Sequence, residues 1–308
     1  MGIGRSAVAL LYELKNEHPF HGSILELGKQ SLYVNGYELP EIANRFGHTI
    51  DISDITMDPD GEYLDNSYDD VVLFKKLGFR EVSSLDLSSY EGADHVHDLN
   101  TPIPESLKGQ FDFVYDGGTM EHCFHIPQCL WNIHDLLKPG GLVMHCSPGH
   151  NHVDHGFYMF SPTLFWDYYA QNNYDIIRSQ MFEYGIEHSR QYKMDWTIYD
   201  YQPGCIESLS NKGWGRKKLG IWFVAKKCEE STRDTVPQQG IYLAIWDDQI
   251  TFNPYQDRYD RKSFKNLLRR ILYSIPGMKR PITAINGWAR ALHAEHWRQP
   301  RPPVVARY

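Results

Sequence analysis

The sequence predicts an α/β protein: a doubly wound, mostly parallel sheet of seven strands followed by a basic helical extension. Three observations carry that expectation. Short apolar runs alternate with segments whose apolar residues recur every three or four positions, which implies right-handed crossovers and a sheet covered on both faces. The 308 residues exceed the roughly 200 to 250 that one such domain uses, so a tail is left over. Charge divides near the same place. Residues 258–308 hold twelve Lys or Arg against only Asp260 and Glu295, while the net charge of −8 leaves −18 on the first 257 residues. A hydrophobic content of 42% with 23% charged residues excludes a disordered or collagen-like chain. The expected division is therefore a domain over 1–230, with a lid-like insertion at about 36–65, and an extension over 231–308.

In chain order, Ser6 to Asn16 reads as a leading helix, and Gly22 to Gly28 as a buried strand running into a turn. Residues 36–65 are rich in Gly, Asp, Asn and Pro with weak periodicity, which suggests a long, partly helical insertion. Asp69 to Leu77 gives a helix closed by Gly78, and Val82 to Leu87 a second strand. His95 to Leu99 is a short third strand and Phe111 to Tyr115 a fourth. Ile126 to Leu137 is a helix stopped by Pro139-Gly140-Gly141, followed by a fifth strand over Leu142 to Cys146. A helix over Pro162 to Gln171 and strands over Tyr174 to Phe182 and Gly220 to Ala225 complete the seven.

Beyond Cys228 the character changes. In residues 261–275 the apolar Phe264, Leu267, Leu268, Ile271, Leu272 and Ile275 fall at helical spacing with Lys and Arg between them, an amphipathic stripe that suits either the protein's own body or a membrane surface. Arg301-Pro302-Pro303 reads as frayed. An acidic body argues against nucleic acid as a partner, because phosphate contacts supply most such affinity. No stretch approaches the roughly 18 to 20 apolar residues of a membrane span, and the first residues lack a long apolar signal segment. Cys123, Cys129, Cys146, Cys205 and Cys228 are odd in number and form no CxxC pair, as expected of reduced thiols. The expected location is cytoplasmic, with possible peripheral contact at the inner face of the membrane through residues 261–275.

In a doubly wound sheet, ligands bind at the carboxyl ends of the strands near the point where strand order reverses. Those ends read Glu26-Leu27-Gly28, Asp86-Leu87, Asp98-Leu99-Asn100 and Asp116-Gly117-Gly118, an ordered series of acids. In this the sequence resembles the class I S-adenosylmethionine-dependent methyltransferases, which have a Rossmann-like fold, over about residues 20–228. The resemblance implies S-adenosylmethionine as cofactor, with the acid and glycine turn of the first strand at Glu26, Gly28 and Lys29. It places the ribose-binding acid at Asp86 with Leu87 beside it, and the adenine contact at Asp98 and Leu99. Asp116 and Gly117 fall at the fourth strand end, before the Glu121-His122 pair, and Leu137 to Gly141 matches the family's turn into the fifth strand. Ribose hydroxyls and an amine call for carboxylate acceptors, which is the physical sense of the pattern. Where the family has a Gly-x-Gly turn, this chain has Gly28-Lys29-Gln30. The Tyr33 ring is a candidate contact for the cationic sulfonium, and Tyr158 a further site candidate.

Histidines are numerous, fifteen in all, and His122, His125, His134, His145, His150, His152 and His155 follow the fourth and fifth strands. Methyl transfer is an in-line displacement in which the protein aligns the acceptor and removes one proton, so an imidazole near neutral pH suits the base. His155 is the first candidate, His122 the second, with Asp116 in the same crevice and Asp154 or Glu121 to orient an imidazole. His150, His152, Asp154 and His155 could also present metal ligands. No HExxH or paired Cys-His spacing is present and so tight a loop rarely converges on one ion, so no metal site is expected. The sequence also lacks Gly-x-Ser-x-Gly, against a serine nucleophile, and GxGxxG, against a nicotinamide enzyme. The expected function is methyl transfer to a hydroxyl or amine of a small-molecule or glycan acceptor. The alternative is a non-catalytic module of the same fold with a degenerate cofactor loop.

Overall fold

A computed structural model describes residues 2–60, 65–185, 195–206, 214–240, 242–243 and 304–308. The chain divides into two units. The first comprises Met1–Asp200, Arg216–Pro237 and Val304–Tyr308 and holds every element below; the second comprises Tyr201–Gly215 and Gln238–Pro303.

The first unit is built on β1 (Gly2–Gly4), α1 (Arg5–Glu17), β2 (Ser23–Leu27), β3 (Ser31–Tyr33), α2 (Leu39–Arg45), α3 (Asp70–Leu77), β4 (Glu81–Asp86) and β5 (His95–Val96). It continues through β6 (Phe111–Asp116), α4 (Ile126–Leu136), β7 (Leu137–Pro148), α5 (Pro162–Gln171), β8 (Asp175–Tyr184), β9 (Thr197–Asp200), β10 (Lys218–Lys226) and β11 (Val304–Arg307). The main sheet has nine strands in the order β11-β9-β8-β10-β7-β6-β2-β4-β5, and β1 pairs with β3 in a separate two-stranded ribbon. Five strands, β5-β4-β2-β6-β7, are parallel to their neighbours; the pairings of β10, β8, β9 and β11 are antiparallel. The fold is thus Rossmann-like α/β, but the sheet is mixed and larger than the seven mostly parallel strands expected. The two extra strands are short and lie at one edge, where the pairing partner is remote in sequence.

Side chains alternate between two cores, as a pleated strand requires. Ile24, Tyr115, Met144 and Trp222 face one core with α1, α2 and α3; Leu25, Val114, Val143 and Phe223 face the other with α4 and α5. The helices begin and end where local chemistry dictates. Asp69 caps α3 by accepting from the Val71 N–H at 2.8 Å, and Gly78, at φ +118°, closes it with its N–H on the Phe74 and Lys75 carbonyls. Ser161 and Pro162 start α5.

Several expectations change in detail. The third strand shrinks to His95–Val96 because the Asp98 carboxylate folds back on the Asn100 N–H at 2.9 Å and the Thr101 N–H bonds the Asp98 carbonyl, turning the chain out of the sheet. Strand β7 begins at Leu137, and Lys138-Pro139-Gly140-Gly141 loops out within it: Leu137 lies opposite Phe111 and Leu142 opposite Phe113. The described part of the insertion is a wall of the core rather than a flap, since Leu39, Ile42, Ala43 and Ile55 are buried with α1. Residues 304–308 join the sheet: Ala306 lies opposite Ile198, and Tyr308 and Trp196 exchange backbone hydrogen bonds of 2.7 and 3.1 Å. The amphipathic stretch 261–275 and Arg301-Pro302-Pro303 lie outside the described residues. No helix among the described residues is long and apolar enough to cross a membrane.

Candidate active site

Strand order reverses between β2 and β6, where Leu27 and Asp116 lie side by side at the strand ends. That is the position at which an open α/β sheet leaves a crevice. Gly28 turns the chain at φ +71° and gives its N–H to the Leu85 carbonyl at 2.8 Å, while the Thr119 hydroxyl donates to the Leu27 carbonyl and ties the two strand ends together.

The acids expected here divide by fate. Glu26 is fully buried with neither carboxylate oxygen in a hydrogen bond of good geometry, and burial first, then the neighbouring Asp70 charge, pushes its carboxyl well above the usual range. Burial works against Asp70, but the Lys29 ammonium holds it below the ordinary value. The Lys29 ammonium is 2.5 Å from Asp70, and the Gln30 N–H donates to the same carboxylate at 3.0 Å. Glu26 and Lys29 thus belong to a cluster internal to the chain rather than standing free for a cofactor. Asp116 is also fully buried. One oxygen accepts from the Thr119 and Met120 N–H groups at 2.9 and 3.2 Å, and the other meets His145 Nδ1 at 2.8 Å, whose Nε2 reaches the Tyr169 hydroxyl at 2.7 Å. Asp116 therefore shapes the turn that presents Gly117 and Gly118.

At the other strand ends Asp86 is half-buried and Leu87 is 69% exposed. The Asp98 carboxylate is engaged by Asn100, whose hydrogen bonds hold it below its ordinary value, and the Leu99 carbonyl accepts from Asn132 at 3.0 Å. The Tyr33 ring packs on Gly2: a Cβ there would lie 1.9 Å from Tyr33 Cε2. Tyr158 gives its hydroxyl to the Phe124 carbonyl at 2.8 Å.

A cavity of about 230 Å³ opens beside the reversal point. Gly2 and Gly4 of β1, Gly117 and Gly118 beyond β6, and Cys146 to Pro148 at the end of β7 form part of its wall. Phe182, Tyr184 and Trp196 supply an aromatic side, with the Phe182 and Trp196 rings stacked at 3.7 Å, and Gly220 leaves room for the Phe182 ring, since a Cβ there would be 2.0 Å from it. Polar groups enter from Glu121, His152, His155 and Lys218. Of the residues named from sequence, the cavity takes Gly117, Gly118, Glu121, His152 and His155; Glu26, Asp86 and Asp98 are not among its lining residues.

Glu121 is the centre of the polar side, 1% exposed at its side chain, with neither carboxylate oxygen in a hydrogen bond of good geometry. His155 Nε2 lies 3.5 Å and His122 Nε2 4.0 Å from the same Oε1, and both imidazoles are close to half exposed. Burial raises Glu121, opposed by His155; burial also lowers His122, and with Lys218 it takes His152 down to about 4. The loop carrying His155 is pinned by Glu121 itself, whose carbonyl accepts from the Phe157 and Tyr158 N–H groups at 2.8 and 3.2 Å. The two expected base candidates are therefore brought together, with ring centroids 5.2 Å apart.

Sequence reasoning missed Gln30, Asp70, Phe182, Tyr184, Trp196 and Lys218. Gln30 is buried, its amide nitrogen donates to the Leu27 and Gly28 carbonyls, and a Cβ on Gly117 would lie 2.3 Å from its Oε1. Its position in the glycine turn was the one available signal. The aromatic residues come from strands distant in sequence and leave no local signature.

No family model matches the chain, and no curated protein matches it. Solved structures similar to it include the trans-methyltransferase CalH in complex with SAH, at 14% identity and a TM-score of 0.31, over 73% of this chain. The chain spans 55% of the length of CalH. Another is the Burkholderia thailandensis 1,6-didemethyltoxoflavin-N1-methyltransferase, with bound 1,6-didemethyltoxoflavin and S-adenosylhomocysteine. Its identity is 12% and its TM-score 0.35, over 73% of this chain and 80% of that one. A third, a SAM-dependent methyltransferase from Aquifex aeolicus, has 11% identity and a TM-score of 0.32, over 71% and 92% of the two chains. Likenesses of this size carry no activity or acceptor over to this chain.

Proposed function

We propose that this chain is an S-adenosylmethionine-dependent methyltransferase that methylates a hydroxyl, or an amine, of a small-molecule or glycan acceptor. The observation that carries the reading is the cavity at the strand-order reversal, walled by Gly117 and Gly118 and faced by the Glu121–His155 pair. The fit to the cofactor is selective. Outside the cavity lining, Gln30 Oε1 is buried beside Gly117 and lacks a hydrogen-bond donor, which suits a cationic donor such as an amino-acid ammonium, and Asp86 presents a half-buried carboxylate at the end of β4. Asp98 is engaged by Asn100, and Glu26 is buried away from the cavity lining.

When bound, the cofactor supplies a methyl group on a positively charged sulfur. The residues of this chain hold and orient the acceptor against the aromatic side of the cavity and exclude water from it. An imidazole takes the hydroxyl proton: His155 first, because Glu121 lies 3.5 Å from its Nε2, and His122 second. The reading also places the enzyme in the cytoplasm, peripheral to the membrane through the basic stretch 261–275, where lipid-linked acceptors would be met.

Calorimetric titration with S-adenosylmethionine, and separately with NAD, tests this. Saturable heat with the first alone is expected, and Asp86→Ala should weaken it by about tenfold or more, the loss of a charge-assisted hydrogen bond. Heat with NAD would favour a nicotinamide enzyme. No heat with either would favour the non-catalytic module, which the single-glycine turn and the Gln30 amide filling it would then explain.

A further inference from the structure

Glu121, His122 and His155 are more closely gathered than a base and its orienting acid require. Their ligand atoms all lie within 4.8 Å of one another, a grouping of His and carboxylate that stands out among the described residues. The 3.5 Å from Glu121 Oε1 to His155 Nε2 is too long for a charge-assisted hydrogen bond, which runs at about 2.7–2.9 Å. It matches the separation of roughly 3.3–3.5 Å between two ligand atoms bound tetrahedrally to one ion at about 2.0–2.1 Å. The 4.0 Å to His122 exceeds that separation by about half an ångström, and the three ligand atoms together span up to 4.8 Å, so a rotation of the half-exposed His122 side chain has to bring it in.

The carboxylate makes the stronger case. Glu121 is 1% exposed and neither oxygen is in a hydrogen bond of good geometry, so a buried carboxylate faces two imidazole nitrogens at 3.5 and 4.0 Å. The backbone around it is fixed as well. Gly156 could not carry a side chain, since its Cβ would be 2.8 Å from the Glu121 carbonyl oxygen, and the next two N–H groups bond that same oxygen. His155 is thereby held beside Glu121 by its own loop, and His122 by the chain itself.

We propose that Glu121, His122 and His155 bind one divalent transition-metal ion of the zinc type, with a remaining coordination position turned to the cavity. Two imidazoles and a carboxylate suit such an ion and leave room for an oxygen of water or acceptor. The group replaces the loop set His150, His152, Asp154 and His155: the fold draws His155 out of that set to Glu121, and His152 Nε2 faces the Tyr184 hydroxyl at 3.2 Å. Only the role of the ion rests on the methyl-transfer reading. Where the ion is bound, both imidazole lone pairs would be committed to it; the ion would lower the acceptor hydroxyl's pKa, and the proton would leave to solvent water in place of His155.

The test uses the full chain, stripped with EDTA and titrated with zinc chloride, with metal content measured after dialysis. One equivalent of zinc per chain is expected. Glu121→Gln and His155→Ala should each weaken it by about tenfold or more, and His150→Ala should not. Cobalt(II) in place of zinc should give a spectrum without a thiolate charge-transfer band, which separates this site from the five cysteines. His155 is at the surface, so its variant keeps the test meaningful should Glu121→Gln fail to fold. Substoichiometric zinc in the parent chain, unchanged affinity in the His155 variant, or a thiolate band would overturn the proposal. S-adenosylmethionine titrated into the same EDTA-treated sample is read separately, so retained cofactor heat without zinc binding defeats the metal site alone.

Discussion

At Gly117 the fold leaves no room for a side chain. A Cβ there would meet Gln30 Oε1 at 2.3 Å and Tyr115 Cε1 at 2.7 Å, so the glycine and the glutamine fit one another across the reversal point. Gly117→Ala should therefore cost about 1–3 kcal/mol in urea unfolding, the usual penalty of overpacking. Gln30→Ala removes two hydrogen bonds to the Leu27 and Gly28 carbonyls and should cost about 1–2 kcal/mol by itself. Because the first change collides with the flexible end removed by the second, the double variant should be less destabilised than the sum. Strict additivity would show that the two do not share the space. The sequence marks Glu26, Asp98 and Asp116 as acids at strand ends, and each is there. It does not reveal what each faces: Asp70 and His145 arrive from elements more than twenty residues away and meet Glu26 and Asp116 from inside.

Elements were legible where the signal is local. Helices α1, α3, α4 and α5 and the buried strands β2, β4, β6, β8 and β10 stand close to their expected bounds, because apolar spacing and capping residues act within a few positions. Strand β11, at the sheet edge, and its neighbour β9 were not legible, since the pairing between them joins segments about a hundred residues apart. Junctions between elements also change the chemistry of a residue in ways no local pattern records. His134, in the last turn of α4, has Nδ1 2.8 Å from the Tyr174 hydroxyl, while Lys227 donates to the His134 and Leu137 carbonyls. Burial, and then the charges of Lys227 and Arg233, lower its pKa to about 4 from 6.5. The unfolded chain thus takes up a proton near pH 6.5 that the folded chain refuses until about pH 4, so stability contributed here is present above 6.5 and is lost as the pH falls through that window. His134→Gln should flatten the pH dependence of the unfolding free energy between those limits by an amount on the order of 1 kcal/mol, allowing for solvent screening. Parallel curves for the two chains would remove the assignment.

Over the whole molecule, charge and topology bear on one another. The acidic surplus lies in the first 257 residues and the basic surplus in residues 258–308, yet Val304–Arg307, at the end of that basic stretch, is strand β11 of the main sheet. The Ser6 hydroxyl donates to the Tyr308 carbonyl at 2.5 Å and accepts from the Trp196 N–H at 3.1 Å, which ties α1 to the residues flanking β9 and β11. Deleting the basic stretch would consequently strip an edge strand and expose β9, confounding any loss of binding with a damaged sheet. Neutralisation avoids this: Arg261, Lys262, Lys265, Arg269 and Arg270 can all be changed to Gln with β11 intact. If this stretch meets anionic lipid, each basic residue contributes about 1 kcal/mol near the surface, so the fivefold variant should lose at least about a hundredfold in affinity for phosphatidylglycerol vesicles. The parent chain should sediment with those vesicles, release as ionic strength rises, and ignore vesicles of phosphatidylcholine alone. Equal sedimentation of parent and variant would return the stripe to the protein's own body, where Phe264, Leu267 and Ile271 would have to find an internal face.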